Sequence, residues 1–297
     1  MGKSENFMGR IGRLPGVLAL FAATALLLSS ATSRGVDSPL GEPMGLVAVV
    51  GDLQLSDLPE ESASQWPDRM MVPEEIQMPR PARPAAQTPM VEDTYFETVA
   101  FLGDSRTDGF RLYSGLTEGT YFVATGATVE SVFSKPLETE AGEMPLLDLM
   151  GQSEQSFERI YVMLGVNELG WADIENYRNY YGKVVDRLRE DHPNAEVILQ
   201  SLPPVSRKQE ELKTYVNNER IARYNEVVRE VAGAKNCPYV DVASAVTDEE
   251  GFLPANWTYD GVHLNRLGCR VWLDHLRTHA INYDGPFVSD APAETVE

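Results

Sequence analysis

The segment "VAFLGDSRTDGF", residues Val99 to Phe110, is an apolar run that stops at Gly-Asp-Ser and then turns polar. Such a run is typical of a buried strand that ends in a tight turn. If a helix follows, the hydroxyl group of Ser105 lies at the carboxyl end of the strand, where open parallel sheets bind their ligands. By itself the tripeptide also suits an ordinary turn or helix cap, because Asp and Ser side chains bond nearby backbone amides.

Four further apolar runs alternate with segments of helical periodicity. After the run at 98–103 come "TYFVATG", "RIYVMLG", "AEVILQS" and "PYVDVA", at 120–126, 159–165, 195–201 and 238–243. Apolar residues recur at helical spacing between the third and fourth runs, before the fifth run, and from near Asn265 onward. Near-continuously apolar strands that alternate with amphipathic helices predict a parallel sheet covered on both faces, so the predicted fold class is α/β.

The N-terminal residues have the composition of a targeting segment. Three cations precede an uncharged apolar stretch at 14–28, and small residues suited to signal peptidase follow at Ser29 and Ala31. The stretch is short for a membrane span, although 14–31 is just long enough for an anchor. We therefore predict a signal peptide or an N-terminal membrane anchor at 1–34. Either one predicts an extracytoplasmic protein, secreted or tethered to the membrane.

Three segments are predicted downstream. Nine of the chain's 19 prolines fall between residues 35 and 93, where acids outnumber bases. We therefore predict a Pro-rich, acidic and largely disordered linker at 35–94. Residues 95–283 are sufficient for one domain with a hydrophobic core. The tail at 284–297 is predicted to be disordered.

The net charge and the cysteine content limit which partners the chain can bind and whether it forms a disulfide. A net charge of −20 argues against nucleic acid and anionic membrane surfaces as partners, which leaves the N-terminal segment as the membrane contact. The two cysteines allow one disulfide at most. We predict that they stay unbonded, because Cys237 precedes the fifth strand and Cys269 lies beyond the opposite edge of the sheet. A strand spans about 17–20 Å, whereas bonded Cα atoms lie within about 7 Å.

Residues that suit nucleophilic catalysis follow the carboxyl ends of the predicted strands. Ser105 follows the first strand, Gly126 ends the second, and Asn167 lies just beyond the third. Asp260 and His263 lie three residues apart before the last helix. A serine nucleophile needs a base, the base needs an acceptor that fixes its tautomer, and the oxyanion needs preorganised donors. Ser105, His263 and Asp260 suit the first three roles. The backbone amides of Ser105 and Gly126, with the side-chain amide of Asn167, suit the fourth.

In these positions the chain resembles the SGNH, or GDSL-type, hydrolases. The shared blocks are "GDS" at 103–105, Gly126, "GVN" at 165–167 and "DGVH" at 260–263, in the family's order. The resemblance implies a flavodoxin-like, three-layer α/β/α sandwich with a five-stranded parallel sheet. It also implies hydrolysis of an ester or thioester without a metal or other cofactor, with the same roles for the residues named above.

The leading functional interpretation is a serine esterase that forms an acyl-enzyme on Ser105. Its substrate would be a small-molecule or polysaccharide acyl ester with a small acyl group such as acetyl. Two alternatives stay open: an acyltransferase that passes the acyl group to a sugar hydroxyl, and a non-catalytic carbohydrate-binding module on the same scaffold. The complete set of Ser, Asn, Asp and His weighs against the binding module.

Two positions depart from the family's usual pattern. Arg106 follows the serine where an aliphatic residue is common, and Glu168 follows the asparagine where Asp is common. Together they suggest an ion pair that borders the mouth of the site, and two unrelated solvated charges are the alternative. Thr107 stands where a Gly-x-Ser-x-Gly elbow would place its second glycine, which argues against the α/β-hydrolase fold.

Two further groups of residues are candidate sites. His275 and His279 lie four apart on the last helix, a spacing at which two histidines can bind a metal. No carboxylate or cysteine has a matching spacing, so we predict a surface pair and no metal site. Tyr177, Tyr180 and Tyr181 could line a sugar cleft, but core packing is the simpler prediction.

Overall fold

The computed structural model describes residues 80–139 and 142–285. The predicted targeting segment at 1–34, most of the predicted linker and the chain from residue 286 lie outside these ranges. Within the described ranges, none of the helices has both the length and the apolarity that crossing a membrane requires.

A five-stranded parallel sheet forms the centre of the domain. Numbered along the chain, the strands are β1 (Val99–Gly103), β2 (Thr120–Val123), β3 (Pro136–Thr139), β4 (Gly142–Pro145), β5 (Arg159–Met163), β6 (Glu196–Gln200) and β7 (Tyr239–Val240). The parallel sheet has the order β2-β1-β5-β6-β7, and β3 pairs with β4 in a separate antiparallel hairpin that was not predicted. Every residue of β1 and β5 is buried, as expected for central strands covered on both faces.

Helices form the two outer layers. They are α1 (Ser105–Tyr113), α2 (Leu146–Gly151), α3 (Ile174–Asp191), α4 (Arg207–Glu211), α5 (Asn218–Lys235), α6 (Val242–Ala245) and α7 (Arg266–Arg277). Helix α1 packs against α7 through Phe110 and Trp272, whose ring centroids lie 4.5 Å apart. Helix α3 packs against α5 through Tyr177 and Tyr224, whose centroids also lie 4.5 Å apart. The predicted α/β/α sandwich with a five-stranded parallel sheet is confirmed.

The register of three adjacent strands brings their carboxyl ends to one edge. Gly103, the last residue of β1, lies opposite Val123 of β2 and Met163 of β5. The loops that follow these three residues therefore leave the sheet side by side. This is the arrangement that a site shared between them requires.

The segment 80–94 packs against the domain, although we predicted it as part of the linker. The amide of Ala85 donates a hydrogen bond of 2.8 Å to the carbonyl of Tyr239, and the amide of Val91 donates one of 2.9 Å to the carbonyl of Arg277. Val91 is buried in the core. The predicted domain boundary at residue 95 is therefore too late, because an extended, proline-containing segment can cover the edge strand β7.

Two predictions about interior residues are confirmed. Cys237 and Cys269 are both buried and unbonded. Tyr177 and Tyr181 have no exposed surface and belong to the core, and Tyr180 is a half-buried residue that packs against it.

Candidate active site

Ser105 is the first residue of helix α1 and lies directly beyond the carboxyl end of β1. The side chain of Asp104 accepts a hydrogen bond of 2.8 Å from the amide of Arg106 and so caps the helix. Gly103 permits the sharp turn, because a Cβ atom there would lie 2.0 Å from the hydroxyl oxygen of Thr107. The local sequence therefore places the serine at the ligand-binding edge, as predicted.

Two hydrogen bonds join Ser105, His263 and Asp260 in a continuous chain. The Oγ atom of Ser105 lies 2.9 Å from Nε2 of His263. On the other side of the ring, Nδ1 of His263 lies 2.7 Å from Oδ2 of Asp260. The histidine and aspartate side chains are 40% and 54% exposed, so solvent and substrate reach the site directly. The structure brings together the three residues that the sequence singled out.

The loop that carries Asp260 and His263 is held by its own hydrogen bonds. The Oδ1 atom of Asp260 accepts from the amides of Val262 at 2.9 Å and His263 at 2.8 Å. The hydroxyl of Thr258 accepts from the amide of Gly261 at 2.8 Å and donates to the carbonyl of His263 at 2.7 Å. Gly261 has a φ of +91°, a conformation that favours glycine. The histidine is thus positioned before any substrate binds.

The electrostatics of this loop favour an ionised Asp260. Burial alone would raise the pKa of Asp260, but hydrogen bonds from the amide and ring of His263 and from the amide of Val262 outweigh it and lower the pKa. An ionised carboxylate accepts the Nδ1–H of His263, which leaves Nε2 as the acceptor for the Ser105 hydroxyl. This is the tautomer that a general base needs.

Asn167 lies on a short 3-10 helix (Val166–Glu168) that directly follows Gly165, whose φ is +146°. Its Nδ2 atom donates a hydrogen bond of 2.8 Å to the carbonyl of Ala127, the residue after Gly126. A side-chain amide has two N–H groups, so one remains to donate to a substrate. Gly126 has a φ of +74° in the turn after β2. Asn167 and Gly126 are therefore neighbours at the same edge of the sheet as Ser105.

The predicted ion pair between Arg106 and Glu168 is wrong, and so is the alternative of two solvated charges. Both side chains are buried, with 2% and 0% of their surface exposed. Within residues 80–139 and 142–285 no ion pair joins them. Nη1 of Arg106 donates to the carbonyl of Pro203 at 2.7 Å, and Oε1 of Glu168 accepts from the amide of Val129 at 2.7 Å. Both side chains therefore lie in the interior, where they bond main-chain groups that are distant in the sequence.

Burial shifts the titration of the charged residues beneath Ser105. It raises the pKa of Glu168 from 4.5 to about 8, an effect that the amide of Val129 opposes and the charge of Asp104 reinforces. It raises the pKa of Asp104 from 3.8 to about 6, although the amide and charge of Arg106 oppose the shift. At neutral pH Glu168 is therefore uncharged, whereas Asp104 is ionised and faces the positive charge of Arg106.

The contacts that hold the segment 126–129 were not predicted from the sequence. Asn167 and Glu168, adjacent in the chain, bond the carbonyl of Ala127 and the amide of Val129. Residues of almost any type supply such main-chain groups, so no residue pattern signals them. The only available clue was the pairing of an amide and a carboxyl group directly after a strand.

The prediction that His275 and His279 form a surface pair is also wrong. Both are half-buried, and their ring centroids lie 3.9 Å apart. Burial, followed by the charge of His279, lowers the pKa of His275 to about 4. Among the described residues, no group of three or more His, Cys, Asp or Glu side chains is placed to hold a metal ion.

Sequence comparison gives one family. Residues 101–271 match the profile of the GDSL-like Lipase/Acylhydrolase family. The match covers more than half of the 297 residues and includes Ser105, Gly126, Asn167, Asp260 and His263. No curated protein matches the chain.

Several solved structures are similar to this chain. One described as a platelet activating factor from Streptococcus pneumonia is 24% identical, with a TM-score of 0.50 over 61% of this chain and 83% of that one. An acylhydrolase from Bacteroides fragilis is 18% identical, with a TM-score of 0.46 over 62% and 84%. A GDSL-like lipase from Bacteroides thetaiotaomicron is 18% identical, with a TM-score of 0.44 over 64% and 88%. At these identities, the likeness to the Streptococcus structure concerns the fold alone.

Proposed function

This chain belongs to the GDSL-like Lipase/Acylhydrolase family and is a serine hydrolase of ester bonds, and from that premise we propose that it is an extracytoplasmic esterase that removes a small acyl group through an acyl-enzyme on Ser105. The observation that carries the proposal is the chain of hydrogen bonds from Ser105 through His263 to Asp260, at 2.9 and 2.7 Å. These distances lie within the range that proton transfer between a nucleophile and its base requires.

In the acylation step, Oγ of Ser105 attacks the ester carbonyl carbon while Nε2 of His263 takes its proton. The carbonyl oxygen becomes an oxyanion, which accepts hydrogen bonds from the amides of Ser105 and Gly126 and from the side chain of Asn167. His263 then gives the proton to the alkoxy oxygen, the C–O bond to the alcohol breaks, and the acyl group stays on Ser105.

Deacylation repeats these proton transfers with water as the nucleophile. The water gives a proton to Nε2 of His263 and attacks the acyl carbon, and the proton then returns to Oγ of Ser105 as the acid leaves. Throughout, the ionised Asp260 stabilises the imidazolium form of His263 and holds its ring in place.

The small volume of the space beside Gly126 supports a small acyl group as the part of the ester that is removed. A notch of about 10 Å³ is flanked by Ala124, Thr125 and Ala127, and includes the apolar side chains of Val132 and Leu146. A volume of this size holds roughly one water molecule or methyl group.

The extracytoplasmic location rests on the sequence. The uncharged stretch 14–28 after three cations supports a signal peptide or membrane anchor, and hence an acyl ester outside the cytoplasm as the substrate. Polysaccharides that carry acetyl groups are one class of such esters.

Active-site labelling and turnover test the proposal together. The full chain and its Ser105→Ala variant are incubated with a fluorophosphonate probe and with 4-nitrophenyl esters of two, four and eight carbons. Labelling of Ser105 with fastest hydrolysis of the acetate supports the esterase. Labelling with turnover only when a sugar acceptor is added would assign acyl transfer instead. Absence of both labelling and turnover would assign a binding role.

A further inference from the structure

A cleft of about 350 Å³ is lined in part by the chain that follows Asn167, and it takes no part in the chemistry described above. One side is the loop 169–174, which includes Trp171, and the other consists of Arg220, Arg223 and Tyr224 on helix α5. This volume lies within the range of small-molecule sites. The loop begins two residues after Asn167 in the chain.

Two hydrogen bonds connect the helix side of the cleft to the backbone that follows Asn167. The hydroxyl of Tyr224 donates to the carbonyl of Glu168 at 2.5 Å, and Nη1 of Arg220 donates to the carbonyl of Leu169 at 2.5 Å. The cleft is therefore built against the same short segment that presents the side-chain amide of Asn167.

The charges of the cleft favour an anion. No ion pair occupies Arg220 or Arg223 within the described ranges, and Arg223 is exposed. The sole carboxylate among the lining residues belongs to Asp173, and its Oδ1 accepts from the amide of Glu175 as the cap of helix α3. Two guanidinium groups thus face one carboxylate, although the chain as a whole has a net charge of −20.

The chemistry of these side chains specifies a ligand class. Arg220 and Arg223 lie three residues apart on α5 and so project from the same side of the helix. A guanidinium group matches a carboxylate or phosphate group with paired, charge-assisted hydrogen bonds. Trp171, half-buried on the facing loop, adds an aromatic surface for the rest of the ligand.

We propose that this cleft binds a carboxylate or phosphate group on the alcohol part of the ester, with Arg223 as its main contact. Arg223 is chosen because Arg220 already donates to the Leu169 carbonyl. The proposal rests on the proposed esterase function and narrows its substrates to acyl esters of anionic alcohols.

A matched set of acetyl esters tests the proposal on the full chain. The values of kcat/KM are measured for 4-acetoxybenzoate, for 4-acetoxyphenyl phosphate and for the neutral 4-acetoxybenzamide. Arg223→Gln is expected to lower kcat/KM for an anionic ester by about 10-fold, because a partly exposed charge-assisted hydrogen bond usually contributes about that much. The neutral ester should be unaffected. Comparison of the two anionic esters identifies which anion is preferred.

An exposed arginine on another helix provides the control. Arg270 lies on α7, so Arg270→Gln removes the same charge outside the cleft and should leave all three esters unchanged. An equal effect of Arg270→Gln would mean that long-range charge, and not the cleft, selects the anion. An Arg223→Gln effect that is equal for charged and neutral esters would also overturn the proposal.

Equilibrium binding separates this proposal from the esterase function. Calorimetry with 4-acetoxybenzoate uses the Ser105→Ala protein, which cannot form an acyl-enzyme, with and without Arg223→Gln. Binding that weakens with Arg223→Gln supports the anion site even if no ester is hydrolysed. Binding that does not depend on Arg223, in a protein whose Ser105 is labelled and active, would reject the anion site and keep the esterase.

Discussion

The backbone amide of Val129 donates a hydrogen bond of 2.7 Å to the carboxyl group of Glu168, a side chain with no exposed surface. The neighbouring Asn167 bonds the carbonyl of Ala127 at 2.8 Å. Two consecutive residues beyond β5 thus hold the backbone that directly follows Gly126. In the proposed mechanism, Glu168 is therefore a positioning residue that acts on the oxyanion donors through the main chain of the segment 126–129.

Substitutions at Glu168 should show whether catalysis depends on its hydrogen bond with Val129 or on its charge. Glu168→Ala leaves the buried amide of Val129 without its acceptor, and we expect kcat to fall by about 10-fold or more with KM little changed. Glu168→Gln retains an acceptor oxygen and is uncharged, as Glu168 is at neutral pH, so its kcat should stay close to that of the wild type. Steady-state kinetics on a 4-nitrophenyl ester provide both values. A Gln variant as slow as the Ala variant would show that the carboxyl group has another role.

The raised pKa of Glu168, about 8 against 4.5 in an unfolded chain, should make stability depend on pH. The folded state binds the proton more tightly, so the stabilisation is complete below pH 4.5 and is lost as the pH rises through about 8. The pKa of Asp104 is also raised, but only to about 6. Between pH 6 and 8, wild-type stability should fall relative to Glu168→Gln, by at most about 1.4 kcal/mol per pH unit.

Denaturant unfolding of the wild type and Glu168→Gln at pH 6, 7 and 8 measures this difference. Parallel pH dependence of the two unfolding free energies would mean that Glu168 is ionised in the folded state at pH 6.

Ser105→Ala and His263→Ala should each lower kcat by about 10⁴-fold or more without unfolding the protein. The two side chains act as one nucleophilic unit, so their losses should not multiply. Kinetics of both single variants and the double variant, with circular dichroism as the folding control, provide the comparison. If the loss in the double variant approached the product of the single losses, Ser105 and His263 would act independently.

Asp260→Asn should preserve the conformation of the loop that carries Asp260 and His263 but prevent His263 from acting as the base. An asparagine can still accept at Oδ1 from the amides of Val262 and His263, but its NH₂ group faces Nδ1 of His263 and favours the wrong tautomer. We expect kcat to fall by roughly 10³–10⁴-fold, with thermal stability close to that of the wild type. A variant that retains most of its activity would remove Asp260 from the proposed mechanism.

Asn167→Ala should lower kcat by roughly 10²–10³-fold, because one preorganised oxyanion donor contributes about that much. The substitution also frees the carbonyl of Ala127, so the Glu168→Ala value measures how much of the loss comes from the segment 126–129 alone. An effect on KM without an effect on kcat would assign Asn167 to substrate binding.

The parts of the fold and site that could be predicted depend on neighbouring residues in the chain. The alternation of apolar strands and amphipathic helices predicted the parallel sheet, because each element must bury its own apolar face. Parallel strands end at one edge, so Ser105 and Asn167 could be placed together from the sequence. The three-residue spacing of Asp260 and His263 already lets the carboxylate reach both the amide and the ring of the histidine.

Other features depend on contacts between distant parts of the chain, and only the tertiary structure decided them. The partners of Arg106 and Glu168 are main-chain groups at Pro203 and Val129, 97 and 39 residues away. Those groups come close only after the sheet and its loops have assembled, so the sequence alone predicted an ion pair at the site mouth or two solvated charges. The segment 80–94 likewise meets its partner β7 only in the folded domain. Local chemistry selects the nucleophile and its base, whereas long-range packing determines which charges are buried beneath them.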